Sequence, residues 1–400
     1  DHDIPNVAMY NVVKAGGRNE YPGITGVAHF FEHMMFNGTA RLEPGEFDRI
    51  MEANGGSNNA YTSRDVTVYQ DWFPRSALEV IFGLEGDRFA NLDIDDEVVE
   101  SERGVVYSER RTRVDNDNMG RLFEQMLATA FIAHPYQFPI IGWPSDLENW
   151  TRDDLESFYQ TYYAPNNCTL VVVGDVTAAE IHRLSEVYFG PIAAQDPPRD
   201  VHTVEPEQSG ARRLTIEASA QTPLLHVAFH AGRAGEPETL AMDLLLNILV
   251  GGDSSRLHQR LVEQEQLAIS IGGFQQEGFD PGTVYFYLTL PPDGDTAAAE
   301  AVLFAELQRI VAEGVSEVEL AKAKNIRIAN FWRELATIDG KAEALGRHEV
   351  FHGGYETLFE LPAAVDAVST DAMRAVAEQV FSLNNATIGV LRAPPVEDES

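Results

Sequence analysis

The sequence predicts an α+β protein of two homologous domains, each a mainly antiparallel sheet packed with helices. Three observations lead there. A length of 400 residues is too great for one ordinary domain and suits two of about 200. The chain repeats itself at a single offset. Hairpin-spaced strands alternate with blocks of amphipathic helix, a pattern of α+β layers rather than of a doubly wound parallel sheet.

The repeat is degenerate but consistent. "NNCTLVVV" (Asn166 to Val173) matches "NNATIGVL" (Asn384 to Leu391) 218 positions further on. The same offset aligns Thr151, a helix N-cap candidate before "RDDLESFYQ", with Ser369 before "TDAMRAVAEQ". It also brings Pro5 of "PNVAMYNVV" onto Pro223 of "PLLHVAFHA". Three matches at one spacing point to two copies of one domain. Residues 194–211, with three prolines and no hydrophobic period, read as the linker between copies at 1–193 and 212–400. The second copy opens with a strand-like "RRLTIEASA" (Arg212 to Ala220) that has no counterpart before Pro5, so the first is expected to lack its opening strand.

Within the first copy, the β-rich runs "VAMYNVV", "DVTVYQDWF" and "TLVVVGDV" interleave with amphipathic helices. "RSALEVIFGLEGDRF" and "DEVVESERGVVYSERR" are the clearest of these helices. The second copy ends a strand in "TVYFYLTLPP" and adds a helix near "AELQRIVAEG".

Composition narrows the function classes. Apolar residues at 44% and charged residues at 23% are globular values, so each half can bury a core. No apolar run approaches the ~20 residues that span a bilayer, so no membrane span is expected. The single cysteine, Cys168, rules out an internal disulfide framework and any Cys-rich zinc site; a metal here needs His and carboxylate ligands. A balance of 63 acidic against 29 basic residues gives −34, which repels nucleic-acid phosphates. The same field would concentrate cationic peptides, although an ordinary solvated acidic surface also accounts for it. The first residues show no signal peptide and read as a turn already inside the fold; processing could have removed what preceded them. They leave the compartment open, with a bacterial periplasm or envelope favoured over the cytoplasm.

Chemistry concentrates in "HFFEH" (His29 to His33). On a helix, His29 and His33 stand one turn apart and can reach one ion, with Glu32 beside it as a proton acceptor. A core helix carrying polar residues is the plain alternative. A zinc site of this kind needs a third protein ligand and leaves one position for water. The predicted helix "DEVVESERGVVYSERR" offers Glu102 and Glu109, two turns apart on one face. Spacing does not say which of them ligates and which braces a histidine, and a solvated acidic face explains the pair equally well. A rival, "HEVFH" (His348 to His352), meets the same spacing rule. The repeat places His352 on His134 of "AHPYQFP", so a structural histidine shared by both copies is the expectation there.

His29-x-x-Glu32-His33, followed by "MMFNGT" and with Glu109 lying 76 residues after His33, resembles the inverzincin pattern. With "GGSNNAYTSRDVTVY", "ESERGVVYSER" and the two-copy layout, the chain is similar to the pitrilysin, insulin-degrading enzyme and mitochondrial processing peptidase family, short-chain branch. The resemblance extends over essentially the whole chain and implies a processing-peptidase-like repeat acting as a zinc endopeptidase on extended or unfolded peptides. It implies one zinc ion per chain on His29, His33 and Glu109, with Glu32 as general base and Glu102 steadying a ligand from behind. It implies further that Asn59, Ala60, Tyr61 and Thr62 form the sheet edge to which a peptide adds as an extra strand; an ordinary covered edge is the alternative.

The second copy lacks these groups. Near the same offset, the His29, Glu32 and His33 positions fall on Asn247, Val250 and Gly251, and those of Glu102 and Glu109 near Lys322 and Ala329. That copy reads as a scaffold or substrate wall. Complete family enzymes carry an arginine and a tyrosine in this half, whereas "LVEQEQLAI" has Val262 and Ile269 there. The resemblance therefore implies a partner, a homologous zinc-less subunit in a heterodimer rather than a second copy of this chain. Two other readings remain: a structural core subunit that works through assembly, and a zincin centred on His348 and His352.

Overall fold

Every residue of "NVAMYNVV" after Asn6 is buried, because this strand lies in the interior of its sheet and both its faces are covered. The computed structural model describes residues 2 and 4–394. The first elements are β1 (Asn6–Val13), α1 (Val27–Met34), α2 (Glu46–Ala53), β2 (Ser57–Thr62), β3 (Thr67–Pro74), α3 (Leu78–Asn91) and α4 (Asp96–Arg110). There follow α5 (Asn118–Ala130), α6 (Pro144–Asn149), α7 (Arg152–Tyr162), β4 (Cys168–Gly174), α8 (Ala178–Tyr188), β5 (Arg212–Glu217), β6 (Leu224–His230) and α9 (Pro237–Val250). The remainder comprises the short α10 (Arg256–His258), β7 (Ser270–Gln275), β8 (Thr283–Thr289), α11 (Thr296–Glu313) and α12 (Glu317–Glu334). Last come α13 (Ile338–Phe351), α14 (Thr357–Ala367), α15 (Thr370–Val380) and β9 (Ala386–Arg392).

Two units emerge, and they are not simply the two halves of the sequence. One comprises Asp1–Arg110, Phe138–Thr203 and Trp332–Leu358; the other Arg111–Gln137, Val204–Phe331 and Phe359–Ser400. The first unit holds an antiparallel sheet in the order β2-β3-β1-β4. Val7, Met9 and Val13 of β1 face α1, α4 and α7 at one end of the sheet and α2, α3 and α8 at the other. The opposite face receives α13, where Gly346 lies against Val12 and Val171. Tyr10 and Trp72 both donate to Asp339 of that helix, Trp72 at 2.6 Å.

The second unit repeats the pattern. Its sheet runs β5-β9-β6-β8-β7, with β5 parallel to β9 and the other neighbours antiparallel. β7-β8-β6-β9 follows the order of β2-β3-β1-β4, and β5 has no equivalent among the described residues of the first sheet. Leu225, Val227 and Phe229 pack on α9, α11 and α15, while Leu224 and Ala228 on the other face meet Leu122 and Met126 of α5. The predicted α+β class, with a mainly antiparallel sheet in each unit, is what the structure has. Thr151 and Ser369 are indeed N-caps, each accepting from the amide three residues on.

The difference from the expected contiguous halves is reciprocal. α5, from the first half, covers the second sheet; α13, from the second half, covers the first. The two helices are equivalents, since N-caps Asp117 and Thr337 accept in the same way from Gly120 and Gly340. Each sheet has two apolar faces and the neighbouring helices of its own half cover one, so the other must be buried by a borrowed helix. Gly389 makes room for that contact in the second unit, because a Cβ there would lie 2.5 Å from the Met126 sulfur. A period of 3.6 residues shows that a helix buries a face but not against what.

Residues 194–211 form no helix or strand, in keeping with their proline content, yet they are not a free tether. Within the second unit, Glu205 accepts from the amides of Ile132, Ala133 and His134, each at 2.9 Å. Burial alone would raise its carboxyl, but these three bonds outweigh burial and hold it below the ordinary carboxylate range. Glu205→Gln replaces an acceptor with a donor facing amide donors. It should destabilise the second unit by about 1–3 kcal/mol, read as a lowered denaturant midpoint of that transition.

Candidate metal centre

The candidate site is built on α1, whose direction is fixed before its first turn. Gly26 adopts φ +86°, and a Cβ there would lie 2.7 Å from both the Gly142 Cα and the Ile141 carbonyl oxygen. Buried Glu20 accepts from the amides of Gly26 and Ala28 at 2.8 Å, satisfying donors that a helix start leaves without partners. Burial pushes this carboxyl up to about 8 against the pull of those two amides. Asp146 ties the preceding loop by accepting from the Gly23 and Thr25 amides and, at 2.7 Å, from the Thr25 hydroxyl. Val27, Phe30, Phe31 and Met34 then bury one side of the helix, which leaves His29, Glu32 and His33 along the other.

The two imidazole rings stand 4.8 Å apart. Glu109 comes from α4, its Oε2 3.5 Å from His29 Nε2 and 3.4 Å from His33 Nε2. Tetrahedral zinc with bonds of about 2.1 Å needs ligand atoms about 3.4 Å apart, so the donor set and its spacing fit this ion. His29, His33 and Glu109 are the one group of three possible metal ligands within 4.8 Å of one another among the described residues.

Glu102, two turns earlier on α4, lies 2.7 Å from His33 Nδ1 and directs the other ring nitrogen toward Glu109. Its second oxygen accepts from Asn37 Nδ2, also at 2.7 Å. Burial would lower the His33 imidazolium, but Glu102 and Glu109 more than offset it and push it up to about 9 without a metal. Glu102 shows the reverse balance: burial raises it, while His33 and Asn37 together bring it below its ordinary range.

Glu32 is half-buried and accepts from the Thr62 hydroxyl at 2.5 Å. Of the four residues expected on the peptide edge, Thr62 reaches α1 through this hydrogen bond. Ala60 packs partly into the core beneath that helix, Tyr61 donates at 2.9 Å to Glu343 of α13, and Asn59 is exposed. β2 pairs with β3 alone among the described residues, so its other edge has no strand partner there. Every group named here lies in the first unit.

Three participants escaped the sequence reading. Asn37 had a signal, one helical turn beyond His33. Glu20 and the Thr62 hydroxyl had none, since both act across the fold. In the rival motif, His348 is buried and bonded to Thr357 at 2.9 Å with its ring stacked on His352, and among the described residues the two belong to no group of three possible ligands within 4.8 Å of one another. His134 is buried in the second unit, 3.1 Å from Asp280. There, Asn247 and Val250 close α9 ahead of Gly251, Val262 packs on the core, and Ile269 is exposed. Lys322 donates to Ser254 and Ala329 lies in α12.

Known proteins resemble this chain along most of its length. Residues 2–142 match the model described as "Insulinase (Peptidase family M16)", and residues 149–327 the "Peptidase M16 inactive domain". Zinc protease PqqE of Helicobacter pylori is 30% identical over 83% of this chain and 75% of its own. The mitochondrial-processing peptidase subunit beta of Lentinula edodes is 29% identical over 92% of this chain and 81% of its own. A crystal structure of a protease from Helicobacter pylori superposes with a TM-score of 0.94 at 27% identity, covering 98% and 95% of the two chains.

Two outcomes follow from this geometry. His33→Ala should lose zinc and His352→Ala retain it, measured as metal per chain after dialysis against a weak chelator. Below about pH 9 the metal-free His33 is protonated and must release a proton to ligate. Apparent zinc affinity should therefore fall by about tenfold per pH unit on acidification, checked by chelator competition between pH 6 and 8.

Proposed function

The chain belongs to the insulinase family, peptidase family M16, and we propose that it is the zinc-bearing subunit of an endopeptidase that hydrolyses extended peptides. The observation that carries this reading is the meeting of two imidazoles and a carboxylate, with Glu32 next to them on the same helix, beside the edge strand of the sheet. The description "inactive domain" attaches to residues 149–327, which contain none of these groups.

His29, His33 and Glu109 would hold one zinc ion per chain. When bound, zinc lowers the pKa of water and polarises a carbonyl. The rest falls to side chains. Glu102 fixes His33 through Nδ1, and Asn37 fixes Glu102. Glu32 accepts the proton of the attacking water and returns it to the leaving amine. The peptide pairs through its main chain with β2 along Asn59, Ala60, Tyr61 and Thr62, which demands an extended substrate and tolerates many sequences.

Val262 and Ile269 leave this chain without the arginine and tyrosine that complete such sites, so we assign those to a homologous zinc-less partner. A subunit that served assembly alone would have no use for Glu32. Glu32→Gln should keep zinc and lose about 10²- to 10⁴-fold in peptide turnover. The partner should raise the wild-type rate and leave the variant inactive, followed with a fluorogenic unstructured peptide. Variant turnover at the wild-type rate would refute the reading.

A further inference from the structure

We infer that the Thr62 hydroxyl is a positioning residue for Glu32, so that one strand sets both the register of the peptide and the aim of the base. The inference rests on the proposed role of Glu32. It adds a side-chain function to a residue otherwise expected to act through its main chain.

The hydroxyl of Thr62 has one proton and two acceptors within reach. Glu32 Oε2 lies at 2.5 Å and Thr67 Oγ1 at 3.3 Å. The shorter distance and the carboxylate charge decide for Glu32, because hydrogen bonds to ionised acceptors are the shorter and stronger ones. Thr67 spends its own proton on the Ala15 carbonyl at 2.9 Å.

Thr62 itself has little freedom. It forms the last rung of the β2–β3 pairing, opposite Thr67. The turn that follows is closed by a bond from the Ser63 amide to the Val66 carbonyl at 2.8 Å. The loop after β1 clamps the same turn, with the Gly17 and Arg18 amides donating to the Ser63 and Arg64 carbonyls. On the opposite face of β2, Tyr61 is held by Glu343. A carboxylate bonded to this rigid corner is aimed by the sheet rather than by its own flexible side chain, and errors of about 1 Å in such placement cost about 10²-fold in rate.

The test compares Thr62→Val, which keeps the shape and removes the hydroxyl, with Thr62→Ser, which restores it. Thr62→Val should keep zinc and strand pairing, hold KM within about twofold and lower kcat by about 10- to 100-fold. Thr62→Ser should recover most of kcat. Crystal structures of both variants without metal give a readout independent of turnover: Glu32 should leave its wild-type rotamer in Thr62→Val and keep it in Thr62→Ser. An unchanged rotamer and kcat in Thr62→Val, or a rise in KM alone, would overturn the inference. Glu32→Gln separates the two failures. Wild-type turnover in Glu32→Gln removes the base itself; loss there with full turnover in Thr62→Val removes only the positioning role.

Discussion

Everything at the candidate site depends on the grip of two carboxyl groups, buried Glu20 and half-buried Asp146, on the start of one eight-residue helix. Glu20 holds the amides of Gly26 and Ala28, and Asp146 holds the loop before them. If α1 rotated by a fraction of a turn, His29 and His33 would no longer face Glu109, since side-chain direction on a helix follows its axis. The sheet adds a second hold. Tyr69 of β3 reaches the Phe31 carbonyl at 3.2 Å, and the same ring covers the guanidinium of fully buried Arg88 at 4.5 Å. Arg88 is paired with Glu85 and also faces Phe36 and Phe47. A buried charge that lacked these partners would be costly, so the cluster locks the layer on which α1 lies.

The supporting groups form a graded series of acceptors. Asn37 donates to Glu102, Glu102 faces His33, and Thr62 donates to Glu32. Neutral donors thus aim carboxylates, and carboxylates aim or accompany imidazoles. In a chain of net charge −34 this arrangement keeps the acidic groups of the site from repelling one another into other rotamers.

Much of this was legible in the sequence, for identifiable reasons. Strand alternation, helix caps such as Thr151 and the i, i+4 histidines are local signals, and local geometry fixes them. Glu102 and Glu109 were legible as a pair because a helix puts residues seven apart on one face, though spacing left their roles open. The carboxyl group of Glu20 under α1 and the hydroxyl of Thr62 beside Glu32 were not, because each contact joins elements that only the fold brings together. The exchanged helices α5 and α13 were hidden for the same reason: their amphipathic faces look alike whichever sheet they cover. HEVFH met the same spacing rule, yet among the described residues it belongs to no group of three possible ligands within 4.8 Å of one another.

The borrowed helix also sets an order of assembly on the ribosome. The chain has made all three candidate ligand side chains by residue 109, but Glu343, which braces Tyr61 of the edge strand β2, comes far later. At about 5–20 residues per second, the interval between Tyr61 and Glu343 is roughly a quarter of a minute to a minute. The three side chains can therefore exist long before β2 is braced from α13. Translation therefore separates in time the making of these three side chains from the bracing of the strand beside them.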